Sequence, residues 1–162
     1  MQRFKLGDVA REVRETYRGD KTDIPIVGLA HLNPGEIKLT NWDVNTENTF
    51  SKVFKKGHVL FGRRRAYLQK AAVAHFDGIC SGDITVIEAK PDKILPELLP
   101  FIIQNELFFN YAVGKSAGSL SPRVKWQQLK EYEITLPNLK EQETLKDILW
   151  AIEDTIDSYR EL

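Results

Sequence analysis

Apolar residues along this chain recur in short, separated runs, and three of those runs have the length and β-branched content of strands. His58–Arg63, Ala71–Phe76 and Ile84–Ala89 are each bounded by glycine or charged turns, with Asp77-Gly78 between the second and third. Upstream, Ile24–Leu32 is a further strand candidate. Asn33-Pro34-Gly35 is a strong turn signal before Glu36–Thr40, so the two segments are expected to form a hairpin. Leu6–Glu15 places Leu6, Val9, Ala10 and Val13 on one side of a short amphipathic helix. Thr46–Phe54 is ambiguous, with a helical turn as one reading, and Lys55-Lys56-Gly57 closes it as a turn.

Beyond the strands the period changes. Pro91 and Pro96 precede a helix over Glu97–Val113, whose Leu98, Leu99, Ile102, Ile103, Leu107, Phe108 and Tyr111 form a broad apolar face. Gly114–Pro122 (GKSAGSLSP) reads as a loop, Val124–Tyr132 as a short helix, and Glu133–Leu136 as a strand stopped by Pro137. From Asn138, a plausible N-cap with Glu141 three residues on, a last helix runs to the end of the chain. Its Leu145, Ile148, Ile152, Tyr159 and Leu162 follow a three-and-four spacing broken only by Thr155, and Leu149 and Ile156 widen the stripe. Such a seam lies against something: this domain's own core, or another chain. Trp150 lies off the seam, and an exposed aromatic there would favour a second contact surface. The expected fold is therefore mixed α/β (α+β). One globular domain, residues 1–137, holds a twisted sheet with flanking helices, and residues 138–162 form a long helix after it.

The chain has 162 residues, 42% of them hydrophobic, which is enough for one core. It carries 23 basic and 23 acidic side chains, so attraction to a polyanion has to come from a patch rather than from overall charge. Residues 1–20 lack the apolar core of a signal peptide, no stretch approaches a spanning helix, and the single Cys80 suits a reducing cytoplasm.

The basic patch is GHVLFGRRRAYLQK, Gly57–Lys70. Arg63, Arg64 and Arg65 leave a strand together and lead to Tyr67 and Lys70. Lys115, Arg123 and Lys125 flank the Gly/Ser loop, and Lys55-Lys56 add charge nearby. Hydroxyls of Ser116, Ser119 and Ser121 and the N–H groups of Gly114 and Gly118 are suited to phosphate contacts. Taken alone, the patch serves equally well as a solvated turn, and an extended arginine run turns at least one side chain away from its neighbours. Metal binding has little support, because His31, His58 and His75 are scattered and Cys80 has no partner cysteine. Cys80 beside Ile79 reads as a buried strand end where a thiol is inert. Asp77 and Asp83 read as turn formers, and no phosphate-binding, dinucleotide-binding or nucleophile-elbow motif occurs.

In order, Gly57–Ala71 followed by Phe76-Asp-Gly-Ile-Cys-Ser, then Gly114-Lys-Ser-Ala-Gly-Ser, Pro122-Arg-Val-Lys-Trp-Gln-Gln-Leu and Ile134-Thr-Leu-Pro, resembles one family. It is the target-recognition domain of the DNA specificity subunits of Type I restriction–modification systems. Ile26-Val-Gly-Leu with Asn33-Pro-Gly matches its early hairpin, and Leu139-Lys-Glu-Gln-Glu with Ile148 and Ile152 the start of its spacer helix. The resemblance implies a non-catalytic reader of one half of a split double-stranded DNA site, with no cofactor or metal of its own. It also implies methyltransferase subunits that flip and N6-methylate adenine with S-adenosylmethionine, and a restriction subunit that joins in some assemblies. The implied DNA contacts are Arg63, Arg64, Arg65, Tyr67, Lys70, Lys115, Ser116, Ser119, Arg123 and Lys125. Family members carry two recognition domains and two spacer helices, whereas this chain has one of each. The last helix is short for the family, about 25 residues or roughly 37 Å, and lacks a glycine cap, which points to a half-subunit or a truncated fragment.

A homodimer is then expected through Leu145, Ile148, Leu149, Ile152, Ile156 and Tyr159 as antiparallel helices, presenting two recognition faces to a divided palindrome. Two readings compete with the DNA reader: a protein-interaction domain docking through its last helix, and an enzyme built on Cys80 and Asp83.

Overall fold

A central strand buried on both faces organises the chain. In the computed structural model, which describes residues 1–162, β5 (Val59–Gly62) is buried at every position. It lies between β8 (Ile84–Ala89) and β6 (Ala71–Val73), and β2 (Ala10–Glu12) completes the sheet in the order β2-β8-β5-β6. Strand alternation sends Val59 and Phe61 to one side and Leu60 to the other. On the first side Phe61 meets Phe108 and Phe109, at ring-centroid distances of 5.3 and 5.6 Å. On the second side Leu60, Ile84 and Val86 pack with Val27, Phe54 and Cys80 of a three-stranded sheet. That sheet contains β3 (Ile26–Val27), β7 (Gly78–Cys80) and β4 (Lys52–Phe54). A third, two-stranded sheet pairs β1 (Gln2–Lys5) with β9 (Glu133–Leu136), joining the start of the chain to a segment far along it.

The mixed α/β architecture with a long terminal helix is the one the sequence predicts, with its strands divided among three sheets. Several local readings change. Leu6–Glu15 is helical only at α1 (Leu6–Val9) and then becomes β2, because the ladder to Ala89, Glu88 and Ile87 outweighs a ten-residue helical period. The turn at Asn33-Pro34-Gly35 forms, with Gly35 at φ 76° and the Glu36 N–H on the Asn33 carbonyl at 3.2 Å. It does not close a hairpin. β3 pairs in parallel with β7, while the Leu39 N–H and the Ile37 carbonyl bond Val73 of β6. Thr46–Phe54 ends as β4, and Gly78 opens β7 rather than serving only as a turn.

The helix expected over Glu97–Val113 breaks into α2 (Leu99–Ile103) and α3 (Glu106–Lys115). Asn105 caps α3 by accepting from the Leu107 N–H, and the Gln104 amide leaves the helix to donate to the Gln69 and Ala71 carbonyls, both at 3.0 Å. The short helix expected over Val124–Tyr132 is confined to α4 (Trp126–Leu129). The last helix, α5, spans Leu139–Arg160 and is capped by Asn138, which accepts from the Glu141 N–H at 2.9 Å.

One face of α5 lies on its own domain. Gln142, buried, accepts from the Leu95 N–H at 2.9 Å and donates to the Pro137 and Lys93 carbonyls at 3.0 and 3.3 Å. Trp150 is half-buried against the domain and so does not supply a second contact surface. Its indole N–H donates to the Glu97 carbonyl at 2.8 Å and its ring meets Phe101 edge-on at 4.9 Å. The Lys38 ammonium reaches across to Asp154 and Asp157, at 3.1 and 2.7 Å. No helix is long and apolar enough to cross a membrane.

Candidate nucleic-acid interface

The arginine run sits where β5 leaves the central sheet, and it does not stay extended. Arg65 adopts φ 53°, a left-handed conformation uncommon outside glycine, and turns the chain into a single 3-10 turn at Ala66–Leu68. The return limb of the Gly/Ser loop zips onto this bend. The Arg65 N–H bonds the Pro122 carbonyl at 2.8 Å, the Val124 N–H bonds the Arg63 carbonyl at 3.0 Å, and Ala117 and Arg123 exchange two bonds of 2.9 Å. The two most basic segments thus become neighbours through main-chain bonding.

Their side chains converge. Arg64 and Arg65 both donate to the Ser121 hydroxyl, at 2.9 and 3.2 Å. Arg123 meets Asp83 side-on, with Nε at 2.8 Å from Oδ1 and Nη2 at 3.4 Å from Oδ2. Arg63 and Arg64 approach the same carboxylate at 3.8 Å each. The run does not alternate as an extended one would: Arg64 shares Asp83 with Arg63 and Ser121 with Arg65, because the left-handed turn at Arg65 ends the extended path. The hydrogen bond from Arg123, with the charges of Arg63 and Arg64, holds the Asp83 carboxyl below the usual carboxylate range. Three guanidinium groups thus face one carboxylate, with Arg65 beside them on Ser121, leaving a net positive cluster on a chain of zero net charge. An open cleft of about 670 Å³ lies beside it, lined by Glu12, Arg14, Lys52, Arg63, Asp83 and Arg123 among others. Planar guanidinium groups at such a rim suit phosphate oxygens and the paired acceptors of guanine.

The other expected contacts are distributed differently. Tyr67 is exposed at the 3-10 turn beside the arginines. The Lys70 ammonium bonds the Leu29 carbonyl at 3.0 Å and so braces the scaffold. The Ser116 hydroxyl is likewise taken, donating to the Ala112 carbonyl at 2.8 Å. Lys115 stands 5.7 Å from the Tyr111 ring centroid, and Ser119 and Lys125 are exposed. Asp83 and the bridging role of Ser121 escaped sequence reasoning. The only signal was a charged residue in a Ser-Gly-Asp turn next to a strand.

Elsewhere there is little reactive chemistry. Burial pushes the Cys80 thiol up to about 12, which removes its nucleophilic form at neutral pH. His31 accepts from the Gly28 N–H at 2.8 Å and His58 from the Lys55 N–H at 3.0 Å, each serving its local turn.

On α5, Leu145, Ile148, Ile152, Ile156 and Tyr159 are exposed along one stripe. Leu149 does not belong to it, because it packs against the domain's own core beside the Gln142 and Trp150 contacts. At about 100° per residue the docked face and the exposed stripe lie side by side.

The model of the Type I restriction modification DNA specificity domain matches residues 1–162. The chain belongs to that family. This specificity domain is 30% identical over 148 residues to the EcoDI specificity subunit of Escherichia coli, covering 85% of this chain and 33% of that protein. It therefore spans about a third of that relative's length. Its fold matches the HsdS subunit from Thermoanaerobacter tengcongensis with a TM-score of 0.77 at 22% identity, over 99% of this chain and 44% of that one. A structure describing complex assembly and conformational transition of the type I R-M system matches with a TM-score of 0.78 at 22% identity, over 99% and 43% of the two chains.

Proposed function

We propose that this specificity domain is a non-catalytic reader of double-stranded DNA that recognises one half of a bipartite site for a Type I restriction–modification complex. The convergence of Arg63, Arg64, Arg65 and Arg123 at one rim of a neutral chain carries this reading. The arginines make phosphate contacts, and one or two reach guanine edges in the major groove. Catalysis belongs to a methyltransferase subunit that binds S-adenosylmethionine and takes the adenine out of the stack. A restriction subunit is a further partner, and the cytoplasm is the compartment.

Two copies pair in antiparallel through Leu145, Ile148, Ile152, Ile156 and Tyr159, an apolar stripe that the domain itself leaves uncovered. The pairing sets two identical half-site readers about a two-fold axis. The same stripe also favours a second reading, a module that docks proteins and ignores DNA. Mapping N6-methyladenine in a host that expresses the chain with its cognate methyltransferase subunit tests the proposal. A symmetric bipartite motif supports reader and dimer together. Methylation without any sequence motif contradicts the reader.

A further inference from the structure

The recognition rim contains a carboxylate where binding a polyanion would favour none. Asp83 stands among three guanidinium groups, lines the cleft beside them and is only partly buried. Core packing does not call for it, and its charge opposes phosphate. Its placement is nevertheless tightly determined. The Asp83 carbonyl accepts from the Arg63 N–H at 3.0 Å, adding one more bond beyond the β5–β8 ladder, and its own N–H donates to the Ser81 hydroxyl at 3.1 Å. The carboxylate is therefore carried on the sheet rather than on a free loop.

We propose that Asp83 is a positioning residue for DNA recognition: it holds Arg63, Arg64 and Arg123 in one constellation, giving sequence selectivity while reducing bulk affinity for DNA. This rests on the DNA-reader function proposed above. Arg123 is fixed by two bonds to the carboxylate, a geometry that sets the plane of its guanidinium as well as its position. Arg63 and Arg64 approach the two different oxygens, so one group orients all three arginines. Arg63 gains a second hold from the Gly82 carbonyl at 3.0 Å, and Arg64 from Ser121 at 2.9 Å. A free arginine side chain samples many rotamers and grips any phosphate it meets. One fixed beforehand gives up little freedom on binding and fits only a matching arrangement of acceptors. The carboxylate also repels backbone phosphates that approach off register, which penalises mismatched sites more than the matched one. The carboxyl, held below its ordinary range by the arginines around it, is ionised at neutral pH.

The test uses Asp83→Asn and Asp83→Glu in the full chain, with two probes: the duplex that the wild-type chain enriches from a random 30-base-pair pool, and a scrambled duplex of the same composition. The readout is the ratio of the two dissociation constants by fluorescence anisotropy. For Asp83→Asn the ratio is expected to fall at least tenfold, with scrambled-duplex binding unchanged or tighter. Asp83→Glu keeps the charge but displaces the carboxylate by one methylene, so it also lowers the ratio, which a purely electrostatic role would leave unmoved. It carries the test alone should Asp83→Asn not fold. A ratio preserved in the variants overturns the positioning role, whichever way the two affinities move, and leaves the DNA-reader function standing. Failure of the wild-type chain to enrich any duplex overturns that function itself, and the positioning role with it.

Discussion

Replacing Gln142 by leucine removes the polar anchor that fixes the start of α5 while keeping side-chain volume nearly constant. Gln142 is 1% exposed and makes three hydrogen bonds, with the Leu95 N–H and the Lys93 and Pro137 carbonyls. Lys93 is exposed, so water replaces the bond to its carbonyl, which is also the longest at 3.3 Å. Two bonds to partly buried main-chain groups are then lost without replacement. At about 1–1.5 kcal/mol for each, the loss is about 2–3 kcal/mol. Guanidinium denaturation followed by far-UV circular dichroism and Trp fluorescence measures the change. The expected result is a midpoint shift of that size with an unchanged slope. A shift below about 0.5 kcal/mol would refute the view that α5 is pinned to the domain by Gln142.

Cys80 of the folded chain is expected to resist iodoacetamide at pH 8 and to react once guanidinium unfolds it, since its thiol is buried with a pKa of about 12; full labelling of the native protein would contradict this. Gly78→Ala should destabilise by about 1–3 kcal/mol in a thermal melt, because an added Cβ would lie 2.6 Å from both the Phe54 ring and the Pro25 carbonyl. Ile152→Lys, at a half-exposed position, should change monomer stability by no more than about 0.5 kcal/mol. In sedimentation velocity the same variant should run as a monomer where the wild-type chain runs as a dimer, and an intact variant dimer would exclude the exposed stripe as the seam.

Local chemistry made some elements readable from sequence. β8 and β9 were delimited by charge, proline and β-branched residues, and α5 by Asn138 and a long apolar period. Long-range pairing hid others. β1 is four mostly exposed residues whose partner, β9, lies more than a hundred positions away. The hairpin expected about Asn33-Pro34-Gly35 failed because a turn signal shows where the chain reverses and not which sheet receives each limb. Gln142 looked like an ordinary polar helix position, and only the fold shows three main-chain partners around it. At the recognition rim the arginines were visible as charges. Their geometry depends on Asp83 and Ser121, which lie 20 and 58 positions from Arg63 and have no local pattern to mark them.

The salt dependence of binding to a short DNA duplex tests the DNA-reader function most directly. Neutralising about four phosphates by the arginine cluster at about 0.9 per contact gives a slope near −3.6 in log K against log salt. The predicted result is a slope of roughly −3 to −4 between 50 and 200 mM NaCl. A slope shallower than about −1, or no binding at the lowest salt, would contradict it.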